Sequence, residues 1–175
     1  MKTYLNTLTP ILIVSSSLSS FAITVTNTDP NNVPGSLRAA ISETIAGGTV
    51  DFAPDLNGER FVLTQQLFIG KELTIDASSL SDGITIDANA SEGNRRRVME
   101  IGSDANVTLN NLTLTGGWTE DGAIDIYGGD GADGGGLLIG TRSRVNLHAC
   151  TVSQNQTGDG SGGFGGDGGG FFCER

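Results

Sequence analysis

Val107–Thr108–Leu109–Asn110–Asn111–Leu112–Thr113–Leu114 departs from the pattern of a straight strand. Side chains of a strand alternate between faces, so after Val107 and Leu109 the same face should carry positions 111 and 113. The apolar residues stand at Leu112 and Leu114 instead. A slip of one residue keeps all four on one side only if the chain turns a corner between two short strands. Asn110–Asn111 supplies residues that tolerate left-handed or bent backbone. After the bend both strands point their apolar side into one interior, as in a chain coiled around a core.

The figure returns 38 residues on, as Val145–Asn146–Leu147–His148–Ala149–Cys150–Thr151–Val152, with all four apolar positions kept. A second echo links Gly128–Leu138 to Gly162–Phe172 at an offset of 34 residues, compatible with the first after a small loop insertion. Two echoes in the same order mark a structural repeat whose units bury their faces against their neighbours. Shorter strands are expected at Thr49–Phe52, Arg60–Leu63, Leu73–Ile75, Ile84–Ile86 and Val98–Ile101. A β-sandwich would also contain short strands, and Asn57–Gly58 and Asp82–Gly83 are hairpin-type signals that keep it open for the first half. For the second half the period selects stacked coils, a parallel β-helix.

Ahead of the strands, Ser36 to Ala46 reads as a helix. Leu37, Ala40, Ile41 and Ile45 share a face, Ser36 is the N-cap after Pro34–Gly35, and Gly47–Gly48 ends it. Its place before the first coil suits a cap over the solenoid's apolar end.

Earlier still, Lys2, the apolar run Leu8–Val14 and the small residues of Ser15–Ala22 read as a signal peptide over residues 1–22, cleaved before Ile23. That run is shorter than the roughly 20 residues that span a bilayer, and no second one follows. The mature chain is therefore expected to carry no membrane-spanning segment. Residues 23–48 then hold an N-terminal strand and the capping helix, and 49–175 the coils. Phe171–Phe172–Cys173 begins another strand just before Arg175, so the coils are expected to be truncated at the C-terminus. Twenty acidic residues against ten basic ones give a formal charge of −10, which opposes nucleic acid and anionic lipid. Cys150 and Cys173 could pair in an oxidising compartment. Cys150 falls on an apolar position of the repeat, however, so a buried free thiol is the expectation.

Gly35–Ser36–Leu37–Arg38–Ala39–Ala40–Ile41, followed by Gly48–Thr49–Val50–Asp51–Phe52 and Leu73–Thr74–Ile75–Asp76, resembles the N-terminal region of bacterial right-handed parallel β-helix surface proteins. Among these is a group whose opening motif reads Cys-Ser-Leu-Arg-Glu-Ala; here Gly35 replaces the cysteine and Ala39 the glutamate. The Gly-Gly-Gly-Leu stretch at 134–137 and the run Val145–Asn155 resemble repeats of polymorphic outer-membrane and adhesin-like proteins. The resemblance covers most of residues 23–172. It implies an all-β, right-handed, pectate-lyase-like solenoid, and an exported protein that is secreted or held at the bacterial cell surface. Adhesive use is implied with it, with an extracellular glycan or a host surface protein as partner. Outward Thr108, Asn110, Thr113 and Asn146, with loops 116–136 and 157–170, would make the contacts. The alternative is the N-terminal part of a β-helix polysaccharide lyase or glycoside hydrolase.

No catalytic residue is assigned. Glycoside hydrolysis needs converging carboxylates, and β-helix hydrolases combine Asn-x-Asp, Gly-Asp-Asp and Gly-His-Gly on successive coils, a set that does not occur here. His148 stands at a corner of the repeat. Arg95–Arg96–Arg97, flanked by Asp87, Glu92 and Glu100, is a solvated charged face or a set of local salt-bridge partners, with a substrate-binding cluster as the alternative. Gly128–Asp133 and Gly162–Asp167 both match Gly-Gly-x-Gly-x-Asp, the opening of a Ca²⁺-binding nonapeptide. Hard Ca²⁺ takes six to eight oxygens, so Asp130, Asp133 and Asp167 are candidate ligands. Against this, Gly135 and Gly169 replace the large apolar residue of that motif, and the nonapeptides are not in tandem. Glycine-rich joints between coils would read the same way. With no Lys-[Ser/Thr] after the glycines, a phosphate loop is excluded.

Overall fold

A computed structural model describes residues 21–123, 129–161 and 164–174. The chain opens with β1 (Ala22–Val25), helix α1 (Leu37–Glu43) and β2 (Gly48–Phe52), followed by β3 (Arg60–Val62) and β4 (Leu67–Ile69). Three further rounds follow: β5 (Leu73–Asp76), β6 (Ile84–Asp87) and β7 (Met99–Ile101); then β8 (Asn106–Asn110), β9 (Leu112–Thr115) and β10 (Leu137–Ile139); then β11 (Arg144–His148), β12 (Thr151–Val152) and β13 (Phe171–Cys173). From β2 onward each round contributes one strand to each of three sheets, and β1 adds a fifth strand to the first; the orders are β1-β2-β5-β8-β11, β3-β6-β9-β12 and β4-β7-β10-β13. All pairings between these strands are parallel. The protein is mostly β, with one α-helix among the described residues.

The sandwich alternative for the first half is thereby removed. Asn57–Gly58 and Asp82–Gly83 are corners on successive rounds, not hairpin turns. The Gly58 N–H donates to the Gly83 carbonyl at 2.9 Å, and Asn57 Nδ2 donates to Asp82 Oδ2 at 2.7 Å. Residues that tolerate left-handed backbone serve a hairpin and a corner equally well.

Both echoes of the sequence are strand registers. Val107 pairs with Val145 and Leu109 with Leu147, while Leu137 pairs with Phe171. The offset of 38 persists to Ala123, whose carbonyl accepts from Ser161 Oγ at 2.5 Å. By Asp130, which accepts from the Phe164 N–H at 2.7 Å, it has become 34.

Inward residues form continuous columns. Val50, Ile75 and Leu109 are 0 % exposed and stack in register. Leu147 occupies the same column on the outermost round, where it is 40 % exposed because no strand covers it. Corners are columns too. Gly58, Gly83, Asn111 and Ala149 all have positive φ, at 77°, 63°, 56° and 52°, and each separates a first-sheet strand from a second-sheet strand. Asn89, Gly116 and Gln154 repeat the device at the second corner. The one-residue slip is therefore a left-handed residue, repeated round after round.

Several expectations are corrected. The helix ends at Glu43, with Thr44 as C-cap, so Ile45 lies beyond it and is 64 % exposed. Gly48 opens β2. Ser36 does cap the N-terminus, its Oγ accepting from the Ala39 N–H at 3.2 Å, and α1 packs against β1 and β2. Strand β4 was not anticipated; in Leu67–Phe68–Ile69 an outward Phe hides the alternation. Cys150 sits in the core column above Leu112, but on the outermost round it is only half-buried; both thiols are free. Of the signal peptide expected over residues 1–22, residues 1–20 lie outside those described, and Ala22, its last residue, lies in β1 and pairs with Thr49.

Candidate functional site

Because the interior columns are apolar, polar chemistry is confined to the outer faces, the corners and the long loops. On the first sheet, Thr49, Thr74, Thr108 and Asn146 form one outward column. Asp51, Asp76, Asn110 and His148 form another. Thr113 belongs to the second sheet, in a column with Arg60, Thr85 and Thr151. The expected contact residues Thr108, Asn110 and Asn146 are thus neighbours, and Thr113 faces elsewhere. Glu72, Thr74, Asn106, Thr108, Arg144 and Asn146 line a polar depression of about 300 Å³ that crosses successive rounds.

Within the second column, partial burial pushes the Asp76 carboxyl up. Hydrogen bonds from the Ser78 hydroxyl and N–H and from the Asn110 side chain outweigh this and hold it below the ordinary aspartate value. His148 ends β11 in register with Asn110 and is exposed.

The arginine triplet is used by the protein itself, as local salt-bridge partners and as donors to main-chain carbonyls. Arg95 forms a bidentate pair with Asp121 at 2.8 and 2.7 Å, its guanidinium 4.0 Å from the centre of the Trp118 ring. Arg96 Nη1 donates to the carbonyls of Leu63 and Ala88 at 2.9 and 2.8 Å, tying the ends of β3 and β6 together. Arg97 pairs with Glu100 at 3.0 Å and donates to the Asp133 carbonyl. Of the flanking acids, Asp87 is paired with Arg60 at 2.5 Å.

Asp130, Asp133 and Asp167 line one shallow cavity of about 360 Å³, together with Gly131, Phe164 and Gly165. Asp130 Oδ1 accepts from the Phe164 N–H at 2.7 Å, and Asp133 Oδ1 from the Asp167 N–H at 2.6 Å. Each carboxylate thus latches one glycine loop onto the next through a charge-assisted bond. Among the described residues no three His, Cys, Asp or Glu side chains are grouped so as to hold a metal ion.

One cluster passed unnoticed in the sequence. Arg38, Phe68 and Lys71 meet at a cavity between α1 and β4. Arg38 stands within the Gly35–Ile41 motif, and no spacing rule joins it to the other two.

No family model, no curated protein and no solved structure matches the chain.

Proposed function

We propose that this chain is a right-handed parallel β-helix of pectate-lyase-like architecture, exported and used in adhesion at a bacterial cell surface or outside the cell. Cyclic passage through three parallel sheets supports the solenoid. The right hand follows the general rule for parallel crossovers. Helix α1, packed on β1 and β2, serves as the N-terminal cap, keeping water from the first apolar layer.

One observation carries the adhesive reading: the outer face of the first sheet presents Thr49, Thr74, Thr108 and Asn146 as aligned polar side chains on successive rounds, and the polar depression lies across three of them. Aligned weak donors and acceptors suit an extended glycan or a host surface protein, with avidity in place of a single tight site. The test is binding of residues 23–175 to immobilised extracellular glycans and matrix proteins. Thr108→Val with Asn146→Ala should weaken capture more than either change alone. Capture unchanged in the double variant would remove the reading.

Calcium uptake is a separate reading, supported by Asp130, Asp133 and Asp167 lining one cavity, where they would have to draw together to share an ion. Titration at millimolar calcium tests it: uptake lost in Asp133→Asn supports it, and no uptake by the unmodified chain ends it.

A further inference from the structure

Beneath the third sheet, β4 is the outermost strand of its row, and its backbone is only half used. The Leu67 N–H donates to the Val98 carbonyl at 3.0 Å, and the Ile69 carbonyl accepts from the Gly102 N–H at 2.9 Å. In a parallel ladder alternate residues bond to opposite sides, so Phe68 turns its N–H and C=O away from β7, to the strand's open side. A cavity of about 430 Å³ lies there, between β4 and α1, within the size range of small-molecule sites.

Its two ends are cationic. Arg38 reaches up from α1 and donates to the carbonyls of Pro30, Gln65 and Gln66 at 3.1, 2.7 and 3.0 Å. Lys71 reaches down from just past β4 and donates to the carbonyls of Ser42, at 3.0 Å, and Thr44. These acceptors are all neutral. Among the described residues neither cation has a carboxylate within ion-pair distance, unlike Arg60, Arg95, Arg97 and Arg142. In a chain of charge −10, two uncompensated cations at one cavity stand out. Partial burial holds the Arg38 guanidinium below its ordinary pKa, the mark of a charge stripped of some water.

Between the cations lies an aromatic platform. Phe68 is 57 % exposed, and its ring lies over Gly70 and Gly102, where any side chain would strike it. Asn32 and Ser42 add hydrogen-bonding groups to the lining.

We propose that this cavity binds a small carboxylate carried on a ring. The carboxylate sits against Lys71, the ring face lies on Phe68, and Arg38 at the other end takes a polar substituent of the ring. Polar substituents meet Asn32, Ser42 and the free peptide of Phe68. The site is independent of the adhesive face, which lies on another sheet. A sugar acid and an aromatic acid share this chemistry.

Titration of the full chain with glucuronate and with benzoate, against neutral glucose and benzamide, separates the two sources. One acid should bind with a Kd near or below about 1 mM, and its neutral counterpart at least about tenfold more weakly. Lys71→Gln and Phe68→Ala should each weaken that acid by about tenfold or more. Amide NMR shifts on the unmodified chain should centre on Phe68, Gly70 and Lys71, which keeps the test decisive if a variant misfolds. Absence of binding by both acids overturns the proposal. So does equal binding of the neutral compounds, or shifts that map elsewhere.

Discussion

The side-chain amide of Asn111 donates to the Leu80 carbonyl at 2.7 Å, and to that of Ala77 at 3.2 Å, while its own backbone sits at φ 56°. One residue thus turns its own corner and closes the turn of the round below. Ala149, the next residue in that column, turns its corner at φ 52° but has no side-chain amide to close the turn below.

Asn111→Val should therefore lower unfolding stability by about 3 kcal/mol, combining left-handed strain in a branched residue with two lost hydrogen bonds. Ala149→Gly should raise it by about 0.5 kcal/mol, relief of strain exceeding the added chain entropy. Urea denaturation measures both. Opposite signs at the two positions are the expected outcome.

Leu109 and Leu147 share a column but differ in cover. Leu109→Ala should cost about 3 kcal/mol, because a buried cavity opens. Leu147→Ala, at 40 % exposure, should cost under about 1 kcal/mol. Equal losses in thermal or urea unfolding would mean that the outermost round is covered in solution.

Gly116 stands at φ 70°, and a Cβ there would overlap Asp87 Oδ1. That same oxygen accepts from the Asn89 N–H at 2.8 Å. Gly116→Ala should lower stability by about 2 kcal/mol or more, through strain and through displacement of this carboxylate from its bonds to Arg60 and Asn89.

The Asp76 carboxyl, held low by Ser78 and Asn110, contributes stability that is fully present above its unfolded pKa of about 3.9. That contribution is lost as pH falls through the lower folded value. Asp76→Asn should be less stable than the native chain at neutral pH, and the gap should close on acidification below about pH 3.9. A gap independent of pH would show that the ionised carboxylate is not what the bonds select.

Legibility followed the strictness of local geometry. The corner at Asn110–Asn111 could be read because five- and four-residue strands flank it, long enough for a slip in period to register. Strand β4 could not: three residues with an outward Phe carry no alternation. The glycine loops were legible as a repeat, since their offset of 34 is the register of β10 on β13. The arginine triplet was not, because many of its acceptors are main-chain carbonyls of Leu63, Ala88, Thr119 and Asp133, which no side chain advertises. Arg38, Phe68 and Lys71 converge at the cavity between α1 and β4, a tertiary event without a motif.

The all-parallel ladder has a kinetic consequence. Gly48 meets Leu73 across 25 residues and Val107 meets Val145 across 38, and among the described strands none pairs with another as a hairpin that could serve as a cheap local nucleus. Every first pairing must close a long loop before any ladder rewards it, which places the chain among slow folders of high contact order. Refolding from urea should accordingly be slow for a chain of this size, with the earliest amide protection in β5 and β8, where four consecutive pairs join two fully covered strands.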